Sequence, residues 1–220
     1  MNTNPNAKRI LCYGDSNTQG IIPGDLGRYP ANVRWTGVLQ DELGADYEVI
    51  EEGLWGRTTN LDDPFEGFED KNGKTYSQGI IRTHLPLDFI ILWLGTNNLK
   101  KIFKCKPEKV ALGLEDLILE IKKHVAASKR GFKQPKILVV SPPILAAKVV
   151  EVKPHFEGAP EKSKDLGKEF MKIAKKNYCK FIDLENYISV SAVDGIHLEK
   201  EPHAKIGKMF AEVIRNMETK

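Results

Sequence analysis

Five short apolar runs recur along this chain, and each is followed by turn residues and then by an amphipathic segment. The runs lie near residues 9–14, 47–52, 88–95, 136–141 and 180–185. Their apolar residues are almost continuous, which is typical of parallel strands that are covered on both faces. No internal repeat accompanies the alternation. The pattern predicts a doubly wound α/β fold with a five-stranded parallel sheet.

Helical patterns occupy most of the intervals between these runs. Residues 33–43 predict the first crossover helix, and residues 107–127 begin with a proline, which is favoured in the first turn of a helix. Residues 162–176 and 202–217 carry further apolar stripes at helical spacing, and we interpret these stripes as core contacts. The remaining long segments, 61–79 and 145–160, contain turn signals and predict irregular connections that wall a binding site.

Length and charge restrict the class of protein. A chain of 220 residues that is 41% hydrophobic favours one domain over residues 1–220. The 33 basic and 30 acidic residues are interspersed and leave a net charge of only +3, so nucleic acid is not an expected partner. The densest basic stretch, from Lys100 to Lys109, is able to attract an anionic substrate but is more typical of a solvated loop.

Two further features concern compartment and thiol chemistry. The chain has no stretch with the length of a signal-peptide core or a membrane span, so we expect a cytoplasmic protein without a membrane partner. The three cysteines, Cys12, Cys105 and Cys179, are widely spaced and predict free thiols. Cys12 falls within a strand pattern, where a small buried hydrophobe is expected instead of a nucleophile.

Polar residues gather directly after the predicted strands. In open α/β sheets ligands bind at the carboxyl ends of the strands, so these residues are expected to converge. The segments are Gly14 to Thr18 after the first strand, Glu51 to Arg57 after the second, Gly95 to Asn98 after the third, and Asp194 to His197 after the fifth.

These segments contain the parts of a nucleophilic site. The hydroxyl of Ser16 becomes reactive when an imidazole such as His197 accepts its proton, and Asp194 is spaced to orient that imidazole. The alternatives are that Ser16 caps a helix and that the Asp194–His197 pair caps the next one. The backbone N–H of Ser16, the backbone N–H of Gly53 and the amide of Asn97 are candidate oxyanion donors. The alternatives for the last two are ordinary turn roles.

The complete ordered set resembles the SGNH, or GDSL, hydrolase superfamily over nearly the whole chain. G-D-S-N at residues 14–17, Gly53, G-T-N at 95–97 and D-G-I-H at 194–197 match its first, second, third and fifth blocks. The resemblance implies a flavodoxin-like three-layer α/β/α sandwich, the triad Ser16, Asp194 and His197, and the three oxyanion donors named above. Asp15 resembles a structural residue. Asn98 stands where members commonly have aspartate, and we expect it to hold its loop by neutral hydrogen bonds.

A narrower resemblance is to the compact bacterial aryl esterase, acyltransferase and acetyl-xylan esterase group. It is carried by G-D-S-N-T-x-G at residues 14–20 and W-G-R-T-T at residues 55–59. The group implies short-acyl substrates, homo-oligomers and neither metal nor cofactor. It also places Trp55 and Arg57 near the site. The equally open alternatives are that Trp55 makes a hydrophobic lid contact and that Arg57 forms a structural ion pair. The candidate pocket residues are Asp15, Trp55, Arg57 and Ile196.

The expected function is that of a serine esterase that hydrolyses short-acyl, especially acetyl, esters through an acyl-enzyme. Its partner is a small-molecule ester, for example an acetylated carbohydrate or an aryl ester. An acyltransferase with the same triad and a non-catalytic flavodoxin-like binding module are the alternatives. A nucleotide- or flavin-binding protein is disfavoured, because residues 14–20 supply neither G-x-G-x-x-G nor a P-loop lysine.

Overall fold

The computed structural model describes residues 2–25 and 27–218. One five-stranded, all-parallel sheet forms the centre of the fold, with strand order β2-β1-β3-β4-β5. Its strands are β1 (Lys8–Gly14), β2 (Tyr47–Gly53), β3 (Phe89–Trp93), β4 (Lys136–Ser141) and β5 (Lys180–Asp183). The predicted sheet is therefore confirmed, although β3 and β5 end two residues before the predicted limits.

Eight α-helices are found among the described residues. They are α1 (Ser16–Gln19), α2 (Trp35–Leu43), α3 (Gly73–His84), α4 (Pro107–Ala126), α5 (Lys148–Val152), α6 (Ala159–Ser163), α7 (Leu166–Lys176) and α8 (Lys200–Glu218). None of them is long and apolar enough to cross a membrane.

The helices cover both faces of the sheet. Leu11 and Tyr13 of β1 join a core with α3, α4 and α7, whereas Ile10 and Cys12 join a second core with α2 and α8. Successive side chains of a strand point to opposite faces, so a nearly continuous apolar strand feeds both cores. The result is the three-layer α/β/α sandwich that the resemblance implied.

The sheet topology fixes where a ligand binds. The chain leaves β1 for β2 on one side and later returns to β3 on the other, so the connections diverge at the carboxyl ends of β1 and β3. Such a switch point leaves a crevice between adjacent strand ends. Ser16 follows β1, and a short 3₁₀ turn at Thr96–Leu99 follows β3. The polar segments that follow these strands therefore meet at one place.

Neither connection is wholly irregular: α3 begins inside 61–79, and 145–160 contains α5 and the first residues of α6. The Asn72–Gly73 dipeptide, which we interpreted as a turn, is the start of a helix: Asn72 is the N-cap, and its side chain accepts a hydrogen bond from the Thr75 N–H at 3.1 Å. The predicted helix 162–176 is also divided between α6 and α7. Turn signals and helix caps use the same residue types, and this ambiguity caused the first error.

The cap of α3 gives a stability prediction. Asn72→Ala removes the acceptor for the Thr75 N–H, whereas Asn72→Ser retains a capping oxygen, and both lose the 2.8 Å bond to Asp62. We expect the alanine variant to be less stable than the serine variant by about 1 kcal/mol. Urea unfolding midpoints measure the difference. Identical midpoints would show that the cap does not stabilise α3.

Candidate active site

Ser16 is held in a tight turn between β1 and α1. It is the first residue of α1, and the carboxylate of Asp15 caps that helix by accepting from the Asn17 N–H at 3.1 Å. A side chain at Gly14 would meet Thr18 Oγ1 at 2.0 Å, so only glycine permits α1 to start so close to the strand. The hydroxyl of Ser16 is thereby fixed at the carboxyl edge of the sheet.

Three side chains that are distant in sequence form a hydrogen-bonded line. Asp194 Oδ2 lies 2.6 Å from His197 Nδ1, and His197 Nε2 lies 3.1 Å from Ser16 Oγ. A carboxylate only accepts, so Nδ1 carries the proton and the neutral ring accepts the Ser16 hydroxyl proton at Nε2. All three side chains are buried. This arrangement can move a proton away from Ser16 as its oxygen attacks.

The carboxylate of Asp194 is fully occupied by donors. Oδ1 accepts from the Ile196 and His197 N–H groups at 3.1 and 3.0 Å, and Oδ2 accepts from the Gly24 N–H at 3.2 Å as well as from the imidazole. Burial alone would raise the pKa of Asp194, but the hydrogen bond and charge of His197 and the backbone donors hold that pKa well below its ordinary value. The carboxylate therefore remains charged beside the imidazole.

Two contacts position the strand-end segments relative to each other. Asn17 Nδ2 donates to the Ile196 carbonyl at 3.1 Å, which ties the turn that carries Ser16 to the turn that carries His197. Gly195 adopts a φ of +72°, and a side chain there would lie 2.5 Å from the Val149 nitrogen. The turn from Asp194 to His197 therefore requires glycine.

The candidate oxyanion donors do not all face the site. Asn97 lines the pocket beside Ser16, and its Nδ2 is oriented by the Arg57 carbonyl at 3.1 Å and by Asp15 Oδ2 at 3.5 Å. Gly53 does not line the pocket: it pairs with Gly14 in the sheet, and a side chain on it would lie 2.2 Å from the Gln19 nitrogen. Its glycine is required because α1 passes directly over the end of β2.

Gly56 is a pocket residue that the sequence patterns did not indicate. The Arg57 N–H bonds to the Leu54 carbonyl at 3.1 Å, and Gly56 has a φ of +80°, which together describe a type II turn. Gly56 lines the pocket, and its N–H has no hydrogen-bond partner among residues 2–25 and 27–218. The only sequence signal was the glycine after Trp55, four residues beyond the end of the second strand pattern.

Asn98 forms the neutral hydrogen bonds expected of it. Its Oδ1 accepts from the Thr59 N–H at 2.9 Å, and its Nδ2 donates to Thr59 Oγ1 at 2.8 Å. All of these groups are buried. The pair links the turn after β3 to the segment after β2, and so fixes the residue next to Asn97.

Asp15 and Arg57 lie behind the pocket instead of lining it. Burial raises the pKa of Asp15 to about 6, and its oxygens face Asn17 and Asn97. The guanidinium of Arg57 donates to the carbonyls of Gly14 and Glu52 and lies 4.3 Å from the centre of the Tyr13 ring. Its hydrogen bonds in the described part of the chain therefore join the ends of β1 and β2 through carbonyls.

A pocket of about 320 Å³ opens in front of Ser16. Trp55 and Ile196 line it, as predicted pocket residues, and both irregular segments contribute walls: Phe65 and Phe68 come from residues 61–79, and Phe156 from residues 145–160. Trp55 packs edge-on against Phe68 with ring centres 5.2 Å apart. The pocket walls are therefore mostly aromatic, and the residues next to Ser16 are polar.

The basic stretch from Lys100 to Lys109 was expected to be a solvated loop, and this expectation is wrong for Lys100. Its side chain is only 3% exposed, lines the pocket, and forms a 2.5 Å ion pair with Asp63, whose side chain is fully buried. Burial lowers the pKa of Lys100 from its ordinary value. The rest of the stretch agrees better with the expectation, since Lys101 and Lys104 are exposed.

The cysteines lie outside the site. They are free thiols, as predicted, and Cys12 is completely buried in β1. Burial raises the pKa of the Cys12 thiol, so it is held in its unreactive protonated form. Its role as a small buried hydrophobe is confirmed.

Comparison with known proteins supports the geometry. The sequence model of the GDSL-like lipase/acylhydrolase family matches residues 12–205. The native aryl esterase of M. smegmatis is 41% identical with a TM-score of 0.90, over 96% of this chain and 99% of that chain. A carbohydrate acetylesterase from Sinorhizobium meliloti is 36% identical with the same TM-score and the same coverage. No curated protein matches the chain.

The Asn98–Thr59 link gives a second prediction. Asn98→Ala leaves the buried Thr59 N–H without an acceptor and is expected to destabilise the protein by about 1 to 3 kcal/mol. Asn98→Asp retains the acceptor, and the Thr59 hydroxyl can turn to donate to the second carboxylate oxygen, so this variant loses less. Urea unfolding of both variants measures the order. An aspartate variant less stable than the alanine variant would contradict the account.

Proposed function

The chain belongs to the GDSL-like lipase/acylhydrolase family and is a carboxylic ester hydrolase, and from this premise we propose that it cleaves short-acyl esters through an acyl-enzyme on Ser16. The observation that carries the proposal is the line from Asp194 through His197 to Ser16, which ends at an open pocket. A serine hydroxyl in hydrogen-bond contact with an oriented imidazole is the arrangement that nucleophilic acyl transfer requires.

Acylation begins when Ser16 Oγ attacks the ester carbonyl carbon. The hydroxyl proton passes to His197 Nε2, which already lies 3.1 Å from the oxygen. The ring then becomes an imidazolium, and the charged Asp194 carboxylate at 2.6 Å stabilises it. As the ester C–O bond breaks, His197 returns the proton to the departing alcohol, and Ser16 retains the acyl group.

The negative charge that develops on the carbonyl oxygen needs donors that are already in place. We assign this role to the backbone N–H of Ser16, the backbone N–H of Gly56 and the side-chain amide of Asn97. One Asn97 N–H is held by the Arg57 carbonyl at 3.1 Å, and the other, whose 3.5 Å contact with Asp15 is long, is the one that would bind the oxyanion. The pocket position of Gly56 and its unpartnered N–H support its assignment in place of Gly53. Each such donor contributes roughly 10² to 10³ in rate when it is rigidly held.

Deacylation repeats the sequence with water as the nucleophile. His197 takes a proton from water, the hydroxide oxygen bonds to the acyl carbon, and the Ser16 ester bond breaks with return of the proton to Ser16. An alcohol in place of water would make the same site an acyltransferase. The comparisons favour hydrolysis, because both structural neighbours described above are named as esterases.

The pocket favours a small acyl group. Its volume of about 320 Å³ is at the lower end of the range for ligand sites and has to hold both sides of the ester. Four aromatic side chains, Trp55, Phe65, Phe68 and Phe156, restrict its width. The neighbours are named an aryl esterase and a carbohydrate acetylesterase. We therefore propose acetyl esters of phenols or of sugars as the substrate class.

The triad is tested by substitution. Ser16→Ala should abolish turnover of p-nitrophenyl acetate, because no other oxygen is placed to form the acyl-enzyme, and His197→Ala should be nearly as severe. Asp194→Asn should retain more activity than either, because it removes orientation and charge but not the nucleophile or base. Initial rates and circular dichroism spectra are measured together. A folded Ser16→Ala protein with wild-type turnover would refute the assignment.

The acyl preference is tested with a series of p-nitrophenyl esters. A buried methylene gains about 0.8 kcal/mol by transfer from water, but overpacking between rigid rings costs about 1 to 3 kcal/mol. We therefore expect kcat/KM to fall from acetate through butyrate to octanoate. A steady rise towards octanoate would show an open cleft and overturn the short-acyl proposal.

A matched pair of variants, measured with the same p-nitrophenyl esters, tests whether Trp55 limits the length of the acyl group. Trp55 is 42% exposed and lines the pocket, so Trp55→Ala should flatten the decline with chain length. Tyr187 is a similarly exposed aromatic residue outside the pocket lining, and Tyr187→Ala should leave the decline unchanged.

A further inference from the structure

The charged side chains that line the pocket all have the same sign. They are the ammonium groups of Lys100 and Lys153, and the imidazoles of His155 and His197 also line the pocket. Among the described residues, neither aspartate nor glutamate contributes to the lining. The formal charge of the whole chain is only +3 with 30 acidic residues, so a wholly basic lining does not follow from composition.

Lys100 retains hydrogen-bonding capacity after its ion pair is formed. An ammonium group has three N–H donors, and within the described residues only Asp63 accepts from Lys100. The group also lies 4.9 Å from the centre of the Phe68 ring, which faces the pocket. Because Lys100 also lines the pocket, a bound ligand can approach its remaining N–H groups.

Lys153 supplies the net charge. Its ammonium forms no hydrogen bond or ion pair with any described residue, whereas the charge of Lys100 is balanced by Asp63. Burial and the charges of Lys100 and Lys153 lower the pKa of His155, so the positive charge of each ammonium group is felt at His155. His155 therefore adds a largely neutral polar group, and Lys153 leaves the wall with one uncompensated positive charge.

The small size and the aromatic lining of the pocket make the charge of Lys153 effective. A sphere of 320 Å³ is about 8.5 Å across, comparable with the Debye length of about 8 Å at physiological ionic strength. Four aromatic side chains also line the pocket, so less water screens the interaction than on an open surface. A carboxylate anywhere on a small bound ester would thus experience Lys153.

From these observations we propose that the preferred esters of this enzyme carry a carboxylate, which Lys153 attracts and the spare donor of Lys100 binds. The inference rests on the proposed esterase function and narrows its substrate class. Neither the family description nor the names of the neighbours specify an acidic substrate. The basic stretch that begins at Lys100 thus contributes one residue to the site, and Lys153 joins it from the 145–160 connection.

The test compares charged and neutral esters that share the same scaffold. One pair, p-nitrophenyl hydrogen fumarate and p-nitrophenyl crotonate, places the carboxylate on the acyl side, and the trans double bond prevents internal attack. The other pair, 4-acetoxybenzoate and its methyl ester, places it on the alcohol side. For each pair, the ratio of kcat/KM for the charged ester to that for the neutral ester is measured after subtraction of spontaneous hydrolysis.

Lys153→Gln should lower this ratio roughly three- to tenfold in at least one pair, and Lys153→Glu should lower it further. Salt should also lower the wild-type ratio towards that of Lys153→Gln. The control is Lys168→Gln, which removes an exposed charge from α7 outside the pocket lining and should leave the ratio unchanged. Melting curves verify that each variant is folded.

The outcomes separate this inference from the proposed function. A fall in the fumarate pair alone places the carboxylate on the acyl side, and a fall in the acetoxybenzoate pair alone places it on the alcohol side. The carboxylate inference is overturned if the Lys153 variants leave the ratio unchanged in both pairs, or if Lys168→Gln lowers the ratio equally. In either case, Ser16-dependent hydrolysis of the neutral esters still supports the esterase function. Failure of folded wild-type protein to hydrolyse any of the four esters overturns both.

Discussion

The site is organised by the need to keep one carboxylate charged in a buried position. Asp194 is removed from water, and an unpaired buried charge would be costly, so each of its oxygens accepts two N–H groups. Those donors come from the Gly24 segment and from the turn that ends at His197. Satisfying the carboxylate therefore closes the turn and orients the imidazole towards Ser16 in the same step.

The two acidic side chains on either side of Ser16 illustrate how environment determines role. His197 and the backbone donors lower the pKa of Asp194, whereas burial raises the pKa of Asp15 to about 6. Asp194 faces the imidazole that becomes positive in the proposed mechanism, where its charge would stabilise the imidazolium. Asp15 faces amide donors of Asn17 and Asn97, where it caps a helix and holds a side chain in place.

The fold separates the reaction from its selectivity. Ser16 and Asn97, which we propose act on the ester bond, closely follow β1 and β3, and His197 lies in the turn before α8, whereas the pocket walls come mainly from the connections 61–79 and 145–160. Phe65 and Phe68 of the first connection and Phe156 of the second limit size, and Lys153 of the second contributes charge. Changes in these connections can alter the substrate without moving the triad.

The sequence by itself determined the sheet, the crossover helices and the order of the segments that meet at Ser16, since apolar periodicity and strand-end position are local signals. It also named the side chains that the structure brings together as Ser16, Asp194, His197 and Asn97. Local signals did not distinguish the Asn72 cap from a turn, because the same side-chain oxygen serves both conformations.

Only the tertiary structure decided that Gly56, and not Gly53, lines the pocket and has an N–H without a partner in the described part of the chain, and that Lys100 is buried. The direction of a backbone N–H depends on the dihedral angles of its turn, and both residues are glycines a few positions apart in the sequence. The burial of Lys100 depends on Asp63, 37 residues earlier, which makes an otherwise costly desolvation tolerable. Hydrophobic patterns can be recognised from consecutive residues of the sequence, but the partners of buried polar groups depend on packing between segments that are distant in sequence.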